Sequence, residues 1–235
     1  MIELEKTNAE LGFKVRDHLR SKGLLNLEKD NGLSNDEKKA KLKKIFTEMI
    51  DVLGLNREDG NLTDTPNRLS KLYVNDMFYG LDWSKFPKCT AIDNEFVGYN
   101  NFVLIKDIRL ISCCSHHFMP FFGIKGGADG KALIGPGCNI AYIPKNKVLG
   151  ISKLSRIANF MGSRPNTQET LTAQIAEVIS FVAETDDVAV LINANHTCMS
   201  LRGAADPGAN TTTLFCKGKF LKDGQLRKEF LSYQS

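Results

Sequence analysis

The chain lacks a long apolar run. Its uninterrupted apolar stretches are short, as in Val188 to Ile192, whereas a membrane-spanning helix takes about 20 apolar residues. No bilayer-crossing segment is therefore expected. The start, MIELEKTNAELG, is acidic and lacks the apolar centre of a secretory leader, which points to a cytoplasmic protein. An excess of one charge is also missing. The 235 residues carry 31 Lys and Arg against 27 Asp and Glu, a formal charge of +4, too small and too mixed to imply a nucleic-acid or membrane partner. Any basic site must be local. Disulfides are not expected either, because the six cysteines of a cytosolic chain stay reduced. What remains, 42% hydrophobic and 25% charged residues, suits one large globular domain or a domain with a helical extension. It excludes a collagen, a disordered tail and a mini-protein.

Two regions follow from the patterning, a helical one over 1–85 and a mixed one over 86–235. Ser34 followed by Glu37 is a capping-box signature. Leu42, Ile45, Phe46, Met49, Ile50 and Leu53 then recur at helical spacing, which predicts a helix over Asn35 to Leu53. Thr65 places a capping hydroxyl before Pro66, so a further helix should run from Pro66 to Tyr79. The Lys-rich stretch from Glu37 to Lys44 reads as a solvated face. Phe102 to Ser112 reads as a strand, and a second strand should end at Ala141-Tyr142-Ile143, stopped by Pro144. The glycine-rich stretch from Gly123 to Gly137 predicts a long flexible hairpin loop between them. From Ser152 the period is helical again. In the second helix of this part Leu171, Ile175, Val178, Ile179 and Val182 line one face. Asp187 to Cys198 and Thr211 to Leu221 read as two more strands. The sum is an α+β unit of order β-β-α-α-β-β, an antiparallel sheet with helices packed on one face.

Only four histidines occur, and three stand beside cysteines, in Cys113-Cys114-Ser115-His116-His117 and His196-Thr197-Cys198. Thiolate and imidazole are favoured zinc ligands, and a catalytic zinc takes three protein ligands, leaving a fourth position for water. Cys113 and Cys114 compete for one ligand position, since alternation along a strand points them to opposite faces. Cys89, Cys138 and Cys216 have no such neighbours and read as packing or loop residues. Lys153 and Arg156 share a helix face next to Ser152, where cations and a helix start suit phosphate oxygens. Arg202 adds a cation beyond the second cluster, and Arg68 is a weaker candidate near the Thr65-Pro66 helix start. Gln168-Glu169 offers an amide and a carboxylate that match a purine's amide and amino edge.

These residues carry a resemblance. Thr65-Pro66-Asn67-Arg68, Gly80-Leu81-Asp82, Cys114-Ser115-His116-His117 with Pro120-Phe121, Ala141-Tyr142-Ile143-Pro144, Gly150-Ile151-Ser152-Lys153-Leu154, Gln168-Glu169-Thr170-Leu171-Thr172, His196-Thr197-Cys198 with Arg202-Gly203, and Glu229-Phe230-Leu231 stand in the order of GTP cyclohydrolase I, which the chain resembles over most of its length. The resemblance implies the tunnelling fold, whose barrel closes only by oligomerisation, here as a homodecamer with active sites between subunits. It implies a zinc-dependent hydrolase that converts GTP and water to 7,8-dihydroneopterin triphosphate and formate for folate, pterin or deazaguanine synthesis. Carried over, Cys114, His117 and Cys198 would bind zinc, and His116 and His196 would transfer protons. Ser152 would sit beside the ribose, and Lys153, Arg156, Arg202 and a neighbour's Arg68 would hold the triphosphate. Gln168 and Glu169 would bind guanine. Two departures stand out: Ser115 where the family usually has glutamate, and an insertion between Gly123 and Asn139. Competing readings are the related nitrile reductase of the queuosine pathway, which uses a nicotinamide cofactor and a cysteine without zinc, and a non-catalytic oligomeric nucleotide- or pterin-binding protein with a structural zinc.

Overall fold

The structure is a computed structural model that describes residues 6–95, 101–126, 132–134 and 136–233. In chain order its regular elements are α1 (Ala9–Ser21), α2 (Asn35–Val52), α3 (Thr65–Lys71), β1 (Ala91–Asp93), β2 (Val103–Arg109), β3 (Ile111–Cys114), β4 (Met119–Phe122), β5 (Ile124–Gly126), β6 (Ala132–Ile134), β7 (Pro136–Tyr142), β8 (Lys147–Leu149), α4 (Ile151–Gly162), β9 (Pro165–Asn166), α5 (Gln168–Ala183), β10 (Val188–His196), α6 (Thr197–Ser200), β11 (Thr211–Cys216), α7 (Lys219–Lys222) and α8 (Gly224–Ser232). Among the described residues no helix is long and apolar enough to cross a membrane.

Of the two helix starts predicted from capping residues, one stands as expected and one does not. The Ser34 hydroxyl accepts from the Glu37 N–H (3.3 Å) and the Glu37 carboxylate accepts from the Ser34 N–H (2.8 Å), the reciprocal cap that begins α2. Thr65, expected to be a cap, is instead the first residue of α3, preceded by Asp64 at the N-cap without a side-chain cap bond. Its hydroxyl donates backwards to the Asn61 carbonyl (3.3 Å). Nor does the α-helix continue to Tyr79. After Lys71 it widens into a π turn over Leu72–Met77, followed by two short 3-10 turns at Tyr79–Leu81 and Trp83–Lys85.

β10 is the axis of the main sheet. β11 lies along one edge, while the other edge carries β7 beside Val188 to Ile192 and then β4 beside Asn195 and His196. β2 flanks β7, β3 pairs with β4, and the two-residue β9 runs parallel to β3; the other pairings are antiparallel. Strand alternation divides two apolar layers. Val188, Val190 and Ile192 join Cys138, Ile140 and Tyr142 beneath α4 and α5, while Ala189 and Leu191 face Phe102, Phe220 and Phe230. The sheet is therefore covered on both sides, with the small C-terminal helices α7 and α8 on the face expected to be bare. Val15, Leu19, Trp83 and Phe86 share the larger core with Ile157 and Phe160, so the helical region is built into the same apolar interior.

Three strand boundaries differ from the sequence reading. Phe102 to Ser112 splits at Leu110 into β2 and β3, and β2 carries a bulge in which Asp107 takes φ +63° and its N–H donates to the Asn139 side chain (2.6 Å). β10 ends at His196, and Thr197–Ser200 winds into a helical turn. β11 ends at Cys216, and Lys219–Lys222 is helical. The glycine-rich stretch is a ribbon of β5 paired with β6; residues 127–131 and 135, also part of the expected loop, lie outside the described residues.

The sheet thus has two ends. β10 spans about 26 Å from Val188 to His196 at ~3.3 Å per residue. Tyr142 pairs with Val188 at the first end, and its hydroxyl accepts from the Leu149 N–H (2.9 Å) just before α4 begins. At the second end β3, β4, β9 and α6 come together.

Candidate metal centre and active site

Cys114 closes β3, His117 lies in the turn that follows, and Cys198 lies in α6; their ligand atoms are all within 4.8 Å of one another. Alternation settles the choice between adjacent cysteines. Cys114 faces this trio, whereas the buried Cys113 Sγ is directed at the Cys114 carbonyl (3.9 Å) and burial pushes its thiol up to about 11. Backbone bonds fix the turn: the Ser115 N–H donates to the Asn166 carbonyl (2.9 Å) and the Phe118 N–H to the Cys114 carbonyl (2.9 Å). The Thr197 hydroxyl donates to the Pro120 carbonyl (2.7 Å), which ties α6 to β4. Burial and then the neighbouring Cys114 raise the Cys198 thiol above its usual pKa, as expected of two thiols that would otherwise ionise side by side. A cation between them would reverse that preference. Zinc–sulfur and zinc–nitrogen bonds of ~2.3 and ~2.1 Å place tetrahedral ligands about 3.7 Å apart, so the donor set fits with about an ångström of contraction.

Around the trio stand further polar groups. His116 Nδ1 is 3.6 Å from Cys114 Sγ, and Arg202 Nη1 donates to His117 Nε2 (3.0 Å). His196 stacks on Phe121 at 4.5 Å with 10° between the rings. Its Nε2 is 2.9 Å from Gln168 Oε1. Gln168 is 1% exposed, and its amide nitrogen donates to the carbonyls of Ile192 (3.1 Å) and Thr211 (2.8 Å). Carbonyls only accept, so the orientation of the amide is determined, and Oε1 must accept from a protonated His196 Nε2. This leaves Nδ1 as the nitrogen available for exchange. Burial lowers the His196 pKa, opposed by the nearby Glu169 carboxylate. Glu169 itself is exposed in the first turn of α5. The Gln168 amide, by contrast, is occupied within the chain and orients a histidine.

The other expected residues lie elsewhere. Ser152, Lys153 and Arg156 occupy the first turns of α4, at the opposite end of the sheet. Nine helical rises of 1.5 Å separate Lys153 from Gly162, about 14 Å along the axis. Among the described residues neither Lys153 nor Arg156 forms an ion pair. Cys89 is beside them, and burial pushes its thiol up to about 12 against the pull of both cations. Arg68 is exposed on α3 and paired with Asp64 (3.1 Å). All six cysteines are free thiols. Asn166 and Thr197, which tie down the turn and helix of the trio, and Phe121, which stacks on His196, carried no assigned role in the sequence reading. The one local signal was Pro165, which cannot continue a helix and stands between α4 and α5, where β9 pairs beside Cys114.

A Cys-His-Cys trio with two more histidines at the end of an antiparallel sheet defines a mixed α+β protein with a three-residue cluster that could hold a metal ion. Comparison with known proteins narrows this class. The family model of GTP cyclohydrolase I matches residues 42–235. The chain is similar to GTP cyclohydrolase 1 of Tolumonas auensis, with 40% identity over 93% of this chain and 94% of the relative. It is similar also to the proteins of that name from Aliivibrio fischeri (38%, over 95% and 97%) and Vibrio campbellii (39%, over 92% and 94%). The chain belongs to the GTP cyclohydrolase I family, enzymes that hydrolyse GTP in pterin and folate biosynthesis.

Proposed function

We propose that the chain binds zinc through Cys114, His117 and Cys198 and opens the guanine imidazole ring of GTP, yielding formate and 7,8-dihydroneopterin triphosphate in the cytoplasm. The convergence of these three side chains beside His196 carries the reading. Bound there, zinc would lower the pKa of a water toward ~7 and make hydroxide available at neutral pH. The protein's own groups then handle protons and substrate. His196, with Nε2–H committed to Gln168, has Nδ1 free to deliver a proton to the imidazole nitrogen of the base. His116 is placed for a second transfer, and Glu169 matches the amide and amino edge of guanine. Gln168 moves from the guanine-binding role expected of it to that of a positioning residue for His196.

The triphosphate is assigned to Lys153, Arg156 and Arg202, with Ser152 at the ribose. Arg202 lies at the metal end, whereas the other three lie at the far end of the same sheet. One chain cannot bring both sets to one nucleotide, but a neighbouring copy can. That separation, with β2 and β11 as sheet edges, supports a homo-oligomer closed as a tunnelling-fold barrel and assembled as a decamer. The neighbour then supplies the α4 cations and Arg68. In this reading residues 1–85 are a helical scaffold for a catalytic unit over 86–235. Incubating zinc-loaded protein with GTP tests it: formate and a fluorescent pterin after oxidation are expected. Metal-loaded oligomer that releases no formate would overturn it.

A further inference from the structure

Four aromatic rings form a continuous run from α2 to the turn that bears His117. The ring centroids of Phe46 and Tyr73 are 5.4 Å apart, those of Tyr73 and Phe78 5.3 Å, and those of Phe78 and Phe118 5.6 Å. The last two pairs meet edge-on, at 67° and 72°, the arrangement that the ring quadrupole favours. The π turn makes this run possible. In an α-helix, residues five apart point about 140° away from each other, so Tyr73 and Phe78 would diverge. The Phe78 N–H donates instead to the Tyr73 carbonyl (3.0 Å), and this i to i+5 closure brings both rings to one side. Such turns recur at functional sites because they re-aim side chains.

The far end of the run is a residue that needs support. Phe118 has φ +52°, a left-handed conformation that non-glycine residues seldom adopt, and is 50% exposed. Burial of its own side chain therefore does little to hold it. Its anchors are the backbone bond to Cys114 and the edge of Phe78. His117, immediately before it, is also exposed, so the position of that imidazole depends on the turn rather than on packing of its own ring. Tyr73 also lies near the other flank of the ligand strand, where Cys113 adds to the burial that raises its phenol above the usual pKa.

We propose that Phe78, brought edge-on to Tyr73 by the π turn, is a positioning residue for the metal centre that holds Phe118 and thereby the 115–118 turn in the conformation presenting His117 to Cys114 and Cys198. The proposal rests on the reading of that trio as the metal site. Cobalt(II) is a suitable probe, because its thiolate charge-transfer and ligand-field bands report ligand geometry independently of turnover. Outer-shell partners are worth about 10- to 100-fold in metal affinity. Phe78→Ala should therefore release cobalt to a chelator about tenfold faster, with altered bands and an unchanged far-ultraviolet dichroism spectrum. Phe78→Tyr should restore the release rate to within about twofold. Phe118→Gly, which relieves the left-handed backbone while deleting the ring, should resemble Phe78→Ala, and the double variant should be no worse than either, as expected of partners in one contact. Unchanged bands and release in both single variants, or fully additive losses in the double, would overturn the proposal. If Phe78→Ala does not fold, Phe118→Gly decides: altered bands support the proposal and native bands overturn it. An unmodified protein that binds no cobalt would instead sink the reading of the trio.

Discussion

The two ends of the central sheet are built on opposite principles. At the metal end nearly every group is held by the chain itself. Gln168 is buried and bonded on both sides of its amide, His196 is stacked and hydrogen-bonded, and the turn and helix bearing His117 and Cys198 are tied to Asn166 and Pro120. At the α4 end Lys153 and Arg156 are partly exposed on one helix start, with no ion pair among the described residues. Metal chemistry demands geometry set to within fractions of an ångström, and only a network of short bonds supplies it. A triphosphate demands charge, and cations left without an internal partner keep theirs for the ligand. One end is therefore held together within a single chain, while the other offers charges that, in the proposed reading, a nucleotide and a second copy turn into a site.

The largest test of this contrast is removal of a ligand. Cys198→Ser should lose bound metal and turnover by more than the ~100-fold cost of outer-shell changes, whereas Cys113→Ser should keep its metal by atomic absorption. The reverse pattern would move the centre by one residue. A change at the basic end should act on binding alone. Arg156→Ala should raise the KM for GTP about 10- to 100-fold, the worth of a charge-assisted hydrogen bond, with metal content intact and stability within about 0.5 kcal/mol. At GTP concentrations well below the raised KM, hybrid oligomers of Cys198→Ser and Arg156→Ala chains should then turn over faster than either variant alone. Verified hybrids that are no faster would break the assignment of the two ends to different copies. Ser115→Glu restores the carboxylate usual beside these ligands and should shift a limb of the pH–rate profile while changing the peak rate less than about tenfold. A gain of a hundredfold or more, about 2.7 kcal/mol of barrier, would mean that serine marks an altered function. The smallest effect is expected far from the metal centre: Ser34→Ala should cost about 1 kcal/mol in a denaturant titration through the lost α2 cap and leave kcat and KM unchanged.

Local signals were the most legible. The capping box at Ser34, the apolar stripe of α5 and the strand ending before Pro144 all stand where the spacing placed them. Boundaries set by tertiary contact were not. Nothing near Leu72 announces a π turn, because its closure is stabilised by rings from Phe46 and Phe118, distant in sequence. Thr197 and Cys198 continue the β10 sequence without a break, yet the chain turns there, with the Thr197 hydroxyl bonded to Pro120 on β4. Gln168 read as a polar helix start open to ligand. It is buried because β11 lies close enough for the Thr211 carbonyl to take its amide hydrogen.

The sequence by itself determined which chemistry is present: three thiols and three imidazoles in two short clusters, a basic helix start, and an order of motifs that fixes the family. Residue type and near-neighbour spacing suffice for that, since they follow from covalent adjacency and helical or strand period. Only the tertiary structure decided that Cys114 rather than Cys113 joins His117 and Cys198, that Gln168 serves His196, and that Lys153 and Arg156 stand a sheet's length away. Those facts depend on strand register and on which face each residue meets, and register is set by pairing between segments far apart in the chain.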